Sequence, residues 1–275
     1  MESLGFESLR PLLATGFLVL LWIAEGAWPM FLKRGPRGRV YLRNLALGLF
    51  NAIVVSATAG GLLLLVTESA ARSGMGLGLL HLLELPQPWG WVAAFLLMDL
   101  WQYCWHRLNH RVRLLWRFHA VHHSDAEMNA STAVRFHTGE ILLSSAARFV
   151  VFPLLGLTME AVALYELIAL PVTLFHHANI RMPGRLDKPL RLFLVTPWMH
   201  WVHHSRFQPE TDSNYATVFS FWDRIFGSFR LREDPTSIEI GLDSVDAREA
   251  ASLRGMLLMP LHGRASNTED TPLKK

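Results

Sequence analysis

Asp99-Leu-Trp-Gln-Tyr103-Cys-Trp-His106-Arg-Leu-Asn-His110 closes an apolar run that begins at Trp89, and it ends in two imidazoles four residues apart. On a helix that spacing puts both rings on one face, so the segment reads as a membrane helix whose polar end aims two ligands at one point. Two later stretches repeat the device, His119-Ala-Val-His122-His123 and His200-Trp-Val-His203-His204, and both run on through Val-His-His-Ser. Eight of the 13 histidines lie in these three boxes. Imidazole is the commonest metal-ligating side chain, and a set this dense can hold more than one ion. The second ring of each His-His pair is turned by roughly 100° on a 3.6-residue helix, which lets it serve a neighbouring ion. Two ions sharing these helices are the natural solution. Nitrogen donors favour iron or zinc over magnesium or calcium. The His-Glu-x-x-His signature of a zinc metalloprotease is missing. His81 and His262, outside any box, read as ordinary histidines.

Working outward, the composition is that of a membrane protein. Of 275 residues 51% are hydrophobic and 18% charged, and the mean hydropathy is +0.23. The net charge of +3 does not gather into one long basic patch, so nucleic acid is not an expected partner. Many basic residues instead flank apolar runs. Cys104 is the single cysteine, which excludes an internal disulfide and any cysteine-based zinc or iron–sulfur site within one chain.

Four apolar segments are long enough to consider as spans: Pro11 to Leu32, Leu45 to Val66, the shorter Trp89 to Trp105, and Ala147 to Phe175. Met1–Arg10 lacks a basic start and a cleavage site, so the first reads as a retained span rather than a secretory signal. The fourth is longer than one crossing needs and is interrupted by Pro153, Gly156 and Pro171. It reads either as a hairpin or as one bent span. Lys33, Arg34, Arg37, Arg39 and Arg43 in the first link place that link in the cytoplasm and the N-terminus outside. The third span then exits on the cytoplasmic side, where Arg107, Arg111, Arg113 and Arg117 accompany the first boxes. Gly74–Leu85 reads as a re-entrant or interfacial piece on the outer side, and 263–275 as a frayed tail. The expected fold is all-α: a polytopic helical bundle of about four spans with a cytoplasmic helical cap carrying a dimetal site. Residues 1–85 form the N-terminal spans and outer connection, 86–235 the histidine-box unit, and 236–275 a C-terminal cytoplasmic extension.

Taken in order, the boxes resemble those of the fatty acid hydroxylase/sterol desaturase superfamily of membrane di-iron oxidoreductases. The similarity covers roughly Asp99 to Phe229. Asp99 through Arg107 is similar to the family's approach to its first box. Asn129 through Arg135-Phe136-His137-Thr-Gly-Glu140 resembles the stretch after its second. His176-His177-Ala-Asn179 resembles a further histidine element. Asn214-Tyr215 with Phe221-Trp222-Asp223-Arg224-Ile-Phe-Gly227 resembles its C-terminal signature, although Ser228 stands where threonine is usual.

The resemblance implies that the eight box histidines are ligands and His177 a ninth. His176 and His137 are further candidates: His176 is a ligand or a packed ring, and His137 a ligand or a hydrogen-bond partner of one. Asp99, two turns before His106 on the same face, is a candidate partner for a ligand imidazole, or else a carboxylate paired with a basic residue. With Tyr103, which lies between them, and Glu140 it completes the set of candidate catalytic residues. Glu140 and Asp223 are read either as hydrogen-bond partners of ligands or as caps and salt-bridge members. The implied activity is O₂-dependent hydroxylation or desaturation of an unactivated C–H position of a lipid (fatty acyl, sterol, carotenoid or related) by two iron ions. Neither a Rossmann fingerprint nor an iron–sulfur pattern occurs, so electrons are expected from a separate NAD(P)H-linked carrier of ferredoxin, cytochrome or rubredoxin type. Two rivals are disfavoured. A b-type cytochrome would set its histidines within apolar helices rather than among Arg, Asn and Ser. A metal transporter would need a polar path, which Glu25, Asp99, Glu160 and Glu166 alone do not make.

Overall fold

Polar side chains buried between apolar helices decide how this chain closes. The computed structural model describes residues 3–32, 35–62, 65–67 and 78–262. Their regular structure is helical, and among the described residues no strand forms beyond two isolated bridges, Leu194 with Phe219 and Ser205 with Ile240. The long helices are α1 (Ser3–Ala27) and α2 (Arg37–Val55, continued by a π-helical turn Ser56–Gly60). A short α3 (Leu79–Leu83) precedes α4 (Trp89–Arg111) and α5 (Arg113–His123). Next come α6 (Thr138–Leu155) and α7 (Met159–His177). Short helices complete the chain: α8 (Gly184–Leu190), α9 (Pro197–His203), α10 (Gln208–Thr211), α11 (Phe221–Ile225), α12 (Ala247–Ala250) and α13 (Leu253–Leu258).

Among the described residues, three helices are long and apolar enough to cross a membrane: Arg37–Ala59, Thr138–Leu155 and Met159–His177. The apolar part of α1, Leu12–Ala27, is shorter, and α4, interrupted by Asp99, Gln102 and the first box, is not among the three. The fourth apolar segment resolves into a hairpin whose first arm starts earlier than expected, at Thr138. Pro153 and Pro171 lie inside helices and do not break the chain. The reversal falls on Gly156 at φ 72, a left-handed cap that glycine adopts without a Cβ clash. Of the piece expected over Gly74–Leu85, residues 78–85 are described and hold α3; the remainder, with Lys33, Arg34 and the tail 263–275, lies outside the described residues.

Buried acids tie these helices to the loops. Glu25 on α1 accepts from the backbone N–H of Ala130 and Asn179 and from the Tyr41 hydroxyl, fastening α1 and α2 to the end of α7. Asp125 accepts from Asn44, Thr132 and Arg43. Arg135, fully buried, donates to Asn44, the Ser124 hydroxyl and the carbonyls of Val121 and Ala250. An ion in a dry interior persists only when its donors are met, and here they are.

Candidate metal centre

Four helices bring their last turns together. His110 closes α4, His122 and His123 close α5, His176 and His177 close α7, and His200 and His203 lie at the end of α9. Helix C-termini carry partial negative charge, so this convergence favours a cation before any ring is considered.

The rings form two groups. His106, His110, His119, His123 and His203 make one, and His122, His177, His200 and His204 the other; within each the ligand atoms lie within 4.8 Å of one another. Adjacent residues divide between them, His122 from His123 and His203 from His204. The groups touch, with the His123 and His204 rings stacked at 4.4 Å.

Hydrogen bonding on the outer side sets which nitrogen faces inward. His106 Nδ1 meets the Tyr215 carbonyl at 2.8 Å, His203 Nδ1 the Ser213 carbonyl at 2.7 Å and His119 Nδ1 a Glu140 carboxylate oxygen at 2.8 Å. His177 Nδ1 meets the Thr173 carbonyl at 2.7 Å, and His110 Nδ1 lies 3.4 Å from Asp212. The Tyr215, Ser213, Glu140 and Thr173 acceptors keep the proton on Nδ1 and leave the Nε2 lone pair free. In the first group the Nε2 atoms of His106, His119, His123 and His203 are buried with no hydrogen-bond partner. In the second, Nε2 of His177 lies 3.2 Å from that of His122 and 2.9 Å from that of His200, and Nε2 of His204 lies 3.2 Å from that of His200. Buried imidazole nitrogens converging from several rings are neutral donor sets, and both groups fit a nitrogen-preferring transition metal. Burial holds the imidazoles of His122, His123, His200, His203 and His204 well below their ordinary pKa, which keeps them neutral as ligation requires.

The remaining candidates separate. His176 is buried beside the second group, its ring 4.0 Å from His200, but belongs to neither group. His137, expected as a ligand or a partner of one, stands outside both groups. Its Nδ1 accepts from Gly139 N–H as the N-cap of α6, and its Nε2 lies 3.1 Å from the Leu257 carbonyl. Asp99 also departs from expectation: it touches no histidine. Its carboxylate accepts from the Tyr165 hydroxyl, the backbone of Val218 and Phe219, and Trp222 Nε1. Tyr103 turns away as well, bonded to Ser228 and Arg107. Glu140 alone of the three reaches the rings, joining His119 and Asn109. Asp223 accepts from the Tyr215 and Ala216 N–H groups and the Ser228 hydroxyl, holding the loop whose carbonyl meets His106, and burial pushes its carboxyl up to about 6. The carbonyls of Tyr215, Ser213 and Thr173 could not be found from sequence, because every residue carries one. Asp212 carried no signal either, since its place beside His110 depends on the folded chain.

A cavity of about 350 Å³ opens against both groups. Its walls include Met98, Trp105, Phe136 and Ala169 beside His106, His119, His122, His177 and His200, and its opposite end reaches Arg148 and Glu166. Such a chamber can hold an apolar chain with one carbon against the imidazole cluster.

Residues 91–228 match the family model described as fatty acid hydroxylase. The chain is 36% identical over 161 residues to human (Homo sapiens) alkylglycerol monooxygenase, covering 56% of this chain and 34% of that protein. It is 31% identical over 151 residues to the ornithine lipid hydroxylase OlsE of Rhizobium tropici, covering 55% and 45%. It is 31% identical over 146 residues to a cholesterol 25-hydroxylase-like protein of Danio rerio, covering 52% and 56%. The chain thus spans between a third and somewhat over half the length of these relatives. No solved structure matches.

Proposed function

The chain belongs to the fatty acid hydroxylase family, and from that premise we propose that it is a multi-pass membrane oxidoreductase that hydroxylates an unactivated C–H position of a lipid with O₂. The observation that carries the reading is the opening of both histidine groups onto one largely apolar cavity beside membrane-length helices. The names of the relatives, which act by those names on an alkylglycerol, an ornithine lipid and a sterol, support a lipid substrate.

In this reading the nine grouped histidines hold two iron ions, and 86–235 is the catalytic unit. Two iron ions held there would supply the redox chemistry for O₂ activation and C–H oxidation. The protein's part is position and dryness. Glu140 fixes the His119 ring, the carbonyls of Tyr215 and Ser213 fix His106 and His203, and Met98, Trp105 and Ala169 exclude water around the substrate chain. Electrons arrive from a separate NAD(P)H-linked carrier of ferredoxin, cytochrome or rubredoxin type. Arg39, Arg43, Arg111, Arg113 and Arg117 mark its docking side, taken as cytoplasmic by the excess of positive charge.

Lipid mass spectrometry of cells with and without the intact gene tests the reading. A lipid that gains one oxygen atom only with the intact gene is expected. His122→Ala and His203→Ala, one from each group, should abolish that product and lower bound iron in the purified protein. An unchanged lipid profile, or full iron content in both variants, would overturn it.

A further inference from the structure

The cavity carries charge where a lipid chain would want none. Arg148 on α6 and Glu166 on α7 line its far end, within two helices of membrane-spanning length. Their ion pair is loose, Nη1 to Oε1 at 3.9 Å. Arg148 Nε is buried with no hydrogen-bond partner, and so is Oε1 of Gln102, which lines the same cavity. Ionisable groups at this depth are costly and mark polar routes or polar ligands. A purely hydrocarbon occupant would leave both orphaned atoms unmet.

Helix geometry places this polar level relative to the histidines. Glu166, Leu170, Thr173 and His177 lie on one face of α7 and all line the cavity, at the spacing of successive turns. At 1.5 Å per residue, His177 is about 16 Å along the axis from Glu166, and Glu140 about 12 Å from Arg148. Gln102 lies one turn, about 6 Å, before His106 on α4. The cavity therefore offers a carboxylate acceptor at Glu166 and a cationic donor at Arg148, with Gln102 about halfway back to the imidazoles. A hydroxyl oxygen is the simplest lipid group that both donates and accepts.

We infer that Arg148 and Glu166 form a specificity site for a hydroxyl on the substrate, roughly 12–16 Å from the carbon placed at the histidines. The inference rests on the proposed function for where that carbon sits, but the site itself is a binding property independent of turnover. The fitting substrate class is a lipid with a second oxygen function remote from the reacting carbon, rather than a plain alkyl chain.

Binding of two probes to the purified protein in nanodiscs, dodecane and dodecanol, which differ in a single hydroxyl, provides the test. Wild type is expected to prefer dodecanol by about tenfold to a hundredfold, the range for a hydrogen bond to a charged group. Arg148→Met/Glu166→Gln should lose that preference while still binding dodecane, which guards against misfolding of the double variant. Gln102→Leu, which leaves the charges in place, should keep it. An equal affinity for both probes in wild type, or a dodecanol preference that survives the double variant, would overturn the site and leave the charged pair as a tie between α6 and α7. Because neither probe need react, failure here is separable from failure of the lipid-hydroxylation reading.

Discussion

Glu140 joins two residues from other helices: it accepts from His119 Nδ1 and Asn109 Nδ2 and borders the cavity. Replacing it with glutamine keeps the shape but removes the charge that makes the His119 ring a better donor through Nε2. Partners of this kind contribute tenfold to a hundredfold in metal affinity. Glu140→Gln is therefore expected to lose metal to a competing chelator at about a tenth or less of the concentration wild type requires. Equal retention would show that the carboxylate acts only as a strut. Sequence reading placed Glu140 beside a ligand or at a cap, and His137 either among the ligands or beside one. The Nδ1 of His137 instead meets Gly139 N–H, a local bond at the start of α6 that no box spacing discloses.

At the level of elements, the boxes announced their helices well because the spacing of three and four is itself a helical property. The hairpin of α6 and α7 was left undecided because two prolines and one glycine compete as breakers in that stretch. Position decides the outcome: Gly156 takes φ 72, whereas Pro153 sits in a last turn, beside carbonyls the cap satisfies. A Cβ at Gly156 would also stand 2.9 Å from His81 Nδ1. Gly156→Ala is expected to cost about 1–2 kcal/mol from backbone strain alone, read as a lower thermal midpoint with metal content unchanged. A neutral result would mean that the turn relaxes freely. Asp99 was misjudged for the opposite reason. Its position two turns above His106 is real, but its four donors come from α7, residues 218–219 and Trp222. It works as a staple that draws the C-terminal segment onto α4.

For the whole molecule, two buried clusters of nine imidazoles are a poor way to spend core volume unless something binds there. Without a cation the inward nitrogens of the first group that have no partner stay unmet, and those of the second meet only one another. Removing metal is therefore expected to lower the thermal midpoint markedly, and ligand linkage gives about 4 kcal/mol when free metal exceeds its Kd a thousandfold. Calorimetry before and after chelation, with re-addition of iron, checks this. A midpoint indifferent to metal would mean that the clusters are held open by the surrounding helices alone.

The division of neighbouring imidazoles between groups has one more consequence. His122 and His123, and likewise His203 and His204, share a backbone but face different groups. Seating an ion in one group fixes the α5 and α9 backbones and so prepares the other group for its own. Loading should then be cooperative: iron-starved cells would hold a mixture of fully charged and wholly vacant protein, with half-filled molecules scarce. Scarcity would change how many copies work rather than how well each copy works.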